Sequence, residues 1–340
     1  MSDQDAAIAI IGAGSWGTAL SIAFGSAGRA VRLWARRREL AAAMAADRRN
    51  PQYLSSFELP SAVAPMGDLA EAVAGAALVV LAVPSHGIRP VCERLAPVLG
   101  PDQGVISAAK GLEPHTGRRL SEVIGECLGK QRAGGVAVLS GPNLAPEVAA
   151  GAATVTVVAS DSRPLALAAQ SALSTPGFRV YTNPDVLGVE LGGVLKNIIA
   201  IGAGVSDGLG FGENTKAALL TRGLAEMTRL GVALGARAET FRGLSGMGDL
   251  VATCAGRTSR NHHVGYELAR GRPLADIVAE VSPQIAEGIE TTRAALGLAA
   301  SVGVEMPIAA AVHQVLFEGV SPMDAVRSLM TRAWRDELDS

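Results

Sequence analysis

Six residues near the start of the chain, Gly12-Ala13-Gly14-Ser15-Trp16-Gly17, constrain its fold more than any other feature. They follow the apolar run 7–11 and open a helical pattern over 17–27 that closes at Gly28. In a strand–turn–helix of this kind the first glycine permits the tight turn. The second lets backbone approach a pyrophosphate, and the third lets helix pack on strand. The helix start then offers N–H groups and the positive end of its dipole to phosphates. Gly12, Gly14 and Gly17 therefore predict a dinucleotide-binding α/β domain.

The rest of the first half supports that reading. Short apolar strands are predicted over 30–34, 77–83, 104–108, 136–140, 153–159 and 178–181. Helical patterns over 39–46, 68–74, 91–99, 118–128 and 164–173 alternate with them, the signature of a parallel sheet covered by helices. Residues 50–66 carry Pro51, Pro60 and Pro65 and read as loop with at most an edge strand. After Asn183-Pro184 helices alone are predicted, over 186–205, 215–234, 263–270, 289–301 and 307–318. The expectation is a nucleotide-binding domain over 1–184 and an all-helical, substrate-binding domain over 185–340.

Composition removes several other classes. With 49% hydrophobic and 18% charged residues the chain is globular rather than disordered. A formal net charge of −2 argues against nucleic-acid coating and polybasic membrane binding. Cys92, Cys127 and Cys254 are odd in number and far apart, which fits a reducing compartment and makes neither a disulfide framework nor a zinc spacing. His262-His263 are adjacent and cannot share one helix face, so no metal site is expected. The acidic N-terminus does not read as a secretory signal, and no run of about 18 uninterrupted apolar residues predicts a membrane span.

Only four of the 30 basic residues are lysines: Lys110, Lys130, Lys196 and Lys216. Where arginine is the default, a lysine is a candidate for chemistry a guanidinium cannot perform, because a buried lysine can lose its proton. Lys196 lies in an apolar helical pattern, with Gly192, Gly193, Ile199 and Ala200 three and four residues away. It reads either as a buried acid–base group whose pKa desolvation lowers, or as a lysine snorkelling out of a core helix. Asn197 beside it can orient a substrate. Lys110 follows the strand 104–108 at its carboxyl end, where open α/β sheets bind ligands, or is an ordinary loop lysine.

Two further clusters stand out. Asp249 and Thr253 lie in Gly246–Cys254, where Asp249 can anchor a lysine or a substrate hydroxyl and Thr253 is a further substrate-side candidate. Ser259-Arg260-Asn261 precedes a helical pattern, so Arg260 and the helix N–H groups can hold a phosphate. Both clusters also suit plain caps and turns. At the end of the second strand, where an NAD site would place an acidic residue, the chain has Arg36 and Arg37, and Glu39 stands too far along. Guanidinium groups there pair with a 2′-phosphate, so NADP(H) is the favoured cofactor, with NAD(H) as the alternative.

The chain resembles bacterial NAD(P)-dependent glycerol-3-phosphate dehydrogenases. The matching segments are Gly12–Gly17, Ala109–Glu113, Ser140–Pro142, Leu195–Asn197, Asn214–Leu219, Gly248–Leu250, Ser259–Asn261 and Ala286–Gly288. The resemblance implies a Rossmann-like domain and a 6-phosphogluconate-dehydrogenase-like helical domain. It implies interconversion of dihydroxyacetone phosphate and sn-glycerol 3-phosphate, supplying glycerophospholipid synthesis in the cytoplasm, with a homodimer expected. Lys196 is the implied acid–base group, and Lys110 touches cofactor and substrate. Gly141, Asp249, Ser259, Arg260 and Asn261 line the substrate site. Ser15, Trp16, Arg36, Arg37, Lys110, Ala145, Arg260, Ile285 and Glu287 contact the cofactor. Asn143 stands where the family has a hydroxyl residue, and stays a substrate-side candidate because its amide both donates and accepts. The rival readings are a two-domain hydroxyacid dehydrogenase and a non-catalytic NADPH-binding regulator; the latter predicts loss of Lys110, Lys196 or Asp249.

Overall fold

The apolar runs of the first half are strands buried on both faces, which is why they lack a polar alternation. In the computed structural model, Ile8 and Ile10 of β1 (Ile8–Ile11) and Leu78 and Val80 of β4 (Leu78–Leu81) join one core. Ala9, Ile11, Val79 and Leu81 join another on the opposite face. The structure describes residues 7–114, 116–129, 135–255, 259–281, 286–334 and 336–337. It divides into one unit of Met1–Glu113 with Arg118–Val189, and another of Pro114–Gly117 with Glu190–Ser340.

The other strands are β2 (Val31–Trp34), β3 (Val63–Met66), β5 (Gly104–Ser107), β6 (Val136–Ser140), β7 (Thr154–Ala159) and β8 (Phe178–Asn183). They stand in the order β3-β2-β1-β4-β5-β6-β7-β8. Both β2 and β4 pair parallel with β1, Ile8 facing Val31 on one side and Leu78 on the other. The strand order reverses there, so the Gly-rich turn stands at the topological switch point, where open α/β sheets take their ligands. Pro65 lies in β3, an edge strand, where a residue without an N–H is tolerated.

One pair departs from the expected parallel order: β6 and β7 are antiparallel. The link between them holds a helix of only five residues, α6 (Ala145–Ala149), too short to carry the chain back along the sheet. The first face is covered by α1 (Ser15–Ser26), α2 (Arg38–Asp47) and α7 (Arg163–Leu173), which bury Leu20, Phe24, Met44, Leu165 and Leu173. The second is covered by α3 (Leu69–Val73), α4 (Ile88–Leu95) and α5 (Leu120–Leu128), through Leu69, Val73, Ile88, Leu95, Leu120 and Ile124. Each such side chain, fully buried, contributes about 1.5–3 kcal/mol.

The described part of the second unit is helical. Its central element is α8 (Val186–Gly208), whose first turn contains the division between the units. By length and composition α8 is apolar enough to cross a membrane, but 83% of its most apolar window is buried in the protein. Around it lie α9 (Glu213–Ala233), α10 (Ala238–Phe241), α11 (Asp249–Ala255), α12 (Arg260–Ala269), α13 (Leu274–Val281), α14 (Gly288–Ser301), α15 (Pro307–Phe317) and α16 (Pro322–Met330). A π-helical turn, Leu244–Gly248, leads into α11. Helices α8 and α12 meet backbone to backbone. A Cβ on Gly204 would strike the His262 carbonyl, and one on Gly265 would strike that of Ile201.

Candidate active site

The first unit carries the nucleotide half. Chain direction turns at Gly12, which holds φ at +120°, and a Cβ there would sit 2.6 Å from the Ala82 carbonyl oxygen. A Cβ on Gly17 would collide with the Gly12 carbonyl oxygen, so α1 can lie this close to the turn only with glycine. Gly14 faces open space and is the N-cap of α1, where no side chain caps the helix. These are the shapes a pyrophosphate cradle needs: a tight turn, an open backbone approach and an uncapped helix start. The residues fit a dinucleotide. Ser15 opens α1, and Trp16 packs partly buried against the core.

A residue missed in the sequence holds this turn in place. Asn50 is fully buried, and its amide donates to the Ala13 carbonyl and to Thr18 Oγ1, both at 2.9 Å. Its carbonyl oxygen accepts from the N–H groups of Gln52 and Tyr53. The available signal was Asn followed by Pro51, an Asx-type turn. Beyond β2, Arg36 and Arg37 are exposed, and Arg37 bonds the Gln52 side chain.

Lys110 follows β5 and Gly141 follows β6, both at carboxyl ends of strands on the side of the Gly-rich turn. Lys110 Nζ donates to the Gly141 carbonyl at 3.1 Å. Asn143 is tied to β7: its amide donates to the Val155 carbonyl at 3.1 Å and its oxygen accepts from Thr156 Oγ1 at 2.9 Å. Ala145 starts α6, which packs on α1.

The second unit carries an acid–base cluster. Lys196, only 5% exposed, donates to Asp249 Oδ1 and, at 2.6 Å, to Thr253 Oγ1. Asp249 is the first residue of α11, and Thr253 stands one turn later on the same face. The Thr253 hydroxyl donates to the Asp249 carbonyl at 2.6 Å, which fixes its lone pairs toward the ammonium. Position 192 allows α11 to sit so near, since a Cβ on Gly192 would lie 2.6 Å from the Ser245 carbonyl oxygen in the π-helical turn. Of the roles open to Asp249, the structure takes the lysine anchor. Desolvation is therefore not the only influence on Lys196: burial favours the neutral amine, and the touching carboxylate favours the ammonium. Cys254 is fully buried and its thiol is pushed up to about 12 by burial, which makes it a packing residue.

At the start of α12 the three matched residues divide their work. Ser259 Oγ accepts from the His262 N–H at 3.3 Å and caps the helix, while the Arg260 side chain is exposed. Asn261 Oδ1 accepts from the Gly288 N–H at 3.0 Å, tying α12 to the start of α14 beside Glu287. Asn197 is buried near that junction, its carbonyl oxygen 2.8 Å from where a Cβ on Gly288 would stand. Ile285 lies outside the described residues. Among the described residues no cluster of His, Cys, Asp and Glu has the form of a metal site.

Comparison with known proteins matches both units. Residues 7–166 match the family described as NAD-dependent glycerol-3-phosphate dehydrogenase N-terminus, and residues 185–327 its C-terminus. A glycerol-3-phosphate dehydrogenase (NAD(P)+) of Koribacter versatilis is 49% identical over 326 residues, 96% of this chain and 97% of the relative. One from Frankia casuarinae is 50% identical over 324 residues, covering 95% and 96%. The crystal structure of glycerol-3-phosphate dehydrogenase from Coxiella burnetii aligns with a TM-score of 0.89 at 38% identity, covering 96% of this chain and 99% of that one.

Proposed function

The chain belongs to the NAD-dependent glycerol-3-phosphate dehydrogenase family, and from that premise we propose how its residues carry the reaction. It interconverts dihydroxyacetone phosphate and sn-glycerol 3-phosphate with NAD(P)(H). The chemistry a bound nicotinamide supplies is a hydride to the carbonyl carbon. The complementary proton comes from this chain. Lys196, as an ammonium, donates from Nζ to the carbonyl oxygen as negative charge develops there. Asp249 keeps the ammonium charged beforehand, and Thr253 fixes its direction. In the reverse reaction the amine takes the alcohol proton.

Lys110 adds positive charge toward the developing alkoxide, and Gly141 positions Lys110 through its carbonyl. Arg260, with the helix start at Ser259–Asn261, holds the phosphate, whose binding energy serves to orient the carbonyl. Asn197 and Asn143 complete the polar lining. Gly12, Gly14, Ser15, Trp16, Gly17 and Ala145 take the dinucleotide phosphates and their surroundings, and Ile285 and Glu287 are further cofactor-side candidates. Arg36 and Arg37 pair with a 2′-phosphate and favour NADP(H) over NAD(H). The protein acts as a cytoplasmic homodimer supplying glycerophospholipid synthesis.

The observation that carries this reading is the buried Lys196–Asp249–Thr253 cluster, an ion pair of a kind that well-packed hydrophobic residues often replace without loss of stability. The test is NADPH and NADH oxidation with dihydroxyacetone phosphate and with 2-oxoacids side by side. Turnover confined to the phosphorylated ketone supports the reading; preference for a 2-oxoacid refutes it.

A further inference from the structure

Asp207 stands at the end of α8, eleven residues beyond Lys196. Eleven residues are about three helical turns, so both side chains leave the same face of the helix, roughly 16 Å apart along its axis. Its carboxylate joins three helices. Oδ1 pairs with Lys216 Nζ of α9 at 2.9 Å, and Oδ2 with His262 Nε2 of α12 at 2.8 Å. A carboxylate only accepts, so His262 carries its proton on Nε2. Burial pulls the Asp207 carboxyl up, but the hydrogen bonds from Lys216 and His262 outweigh it and hold the group below its ordinary range. His262 itself is 5% exposed.

The neighbouring contact explains what this arrangement does. Where α8 and α12 cross, Gly204 and Gly265 bring backbone against backbone, which sets the distance between the helices. Gly208 continues this seat, since a Cβ there would meet the Tyr266 carbonyl and the Ala269 side chain. The Asp207–His262 bond adds a polar restraint near the start of α12, one residue beyond Asn261 and two beyond Arg260. We propose that Asp207 is a positioning residue for phosphate recognition: through His262 it sets the register of α12 and so aims Arg260. Lys216 balances its charge and keeps the carboxylate ionised. Asp207 touches no substrate. The proposal rests on Arg260 being the phosphate ligand.

Steady-state kinetics of Asp207→Asn, Arg260→Ala and the double variant test it. Asp207→Asn is expected to raise KM for dihydroxyacetone phosphate about tenfold, with kcat within twofold and a much smaller rise in KM for NADPH, which Arg260 also contacts. In the Arg260→Ala background the same substitution is expected to cost nothing more, since there is no guanidinium left to aim. A fall in kcat at unchanged KM, or the full factor persisting without Arg260, overturns the proposal. If Arg260→Ala alone leaves KM at the parental value, the phosphate assignment itself fails, a result separable from the behaviour of Asp207. Should Asp207→Asn not fold, His262→Gln and His262→Leu give the same reading. Gln still donates and is expected to stay within threefold of the parent, while Leu raises KM about tenfold; equal values overturn the proposal.

Discussion

A lysine held at 5% exposure with its charge against an almost fully buried aspartate is a pair that packing alone would not select. Removing one partner strands the other as an unpaired buried charge, which typically costs about 3–5 kcal/mol. Asp249→Ala is therefore expected to lose stability of that order in chemical denaturation, as well as activity; Asp249→Asn keeps the shape and is expected to lower kcat with a smaller stability loss. On the nucleotide side, Arg36 and Arg37 are exposed where a ribose 2′-position would lie, and only NADPH carries a phosphate there. Replacing both by alanine is expected to raise KM for NADPH at least about tenfold and that for NADH less than twofold. Equal losses would remove the 2′-phosphate assignment.

Among the elements, α1 and α15 carry the clearest consequences. A methyl group on Gly17 collides with the Gly12 carbonyl, so Gly17→Ala must push α1 away from the turn. Fluorescence titration is expected to show NADPH and NADH affinity falling together by tenfold or more. Helix α15 starts on a carboxyl group from α9: Glu226 accepts from the N–H groups of Ile308 at 2.7 Å and Ala309 at 3.3 Å. Burial raises this carboxyl to about 7 from an ordinary value of 4.5. Below about 4.5 the folded and unfolded chains both hold the proton. Between 4.5 and 7 the unfolded chain sheds it while the folded one retains it, so stability falls as pH rises and levels off above about 7. The span is of the order of 3 kcal/mol. Glu226→Gln is expected to flatten that part of the Tm–pH profile; an unchanged slope would show that another group is responsible.

Over the whole molecule, legibility followed periodicity. The strands and the long helices α8, α9, α14 and α15 repeat their pattern over enough residues to be read, and the glycine turn is a local signal. Several short helices were not visible: α13 and α16 run for only eight and nine residues, and α6 and α11 span at most two turns. The antiparallel β6–β7 pair was hidden for the same reason, because it depends on how short α6 is. Within the site, Lys196 was legible as a rare lysine on an apolar helix. Asp249 was legible as an anchor for a lysine or a substrate hydroxyl, but which partner it holds, 53 residues away, was not, nor was Asn50 behind the glycine turn, since both are long-range contacts with no sequence period. The claim that joins these scales is that the Lys196 ammonium protonates the substrate oxygen. Turnover of dihydroxyacetone phosphate by Lys196→Ala, with NADPH affinity measured on the same sample, tests it most directly. We predict kcat lower by about 10²–10⁴-fold with NADPH binding retained; near-parental kcat would contradict it.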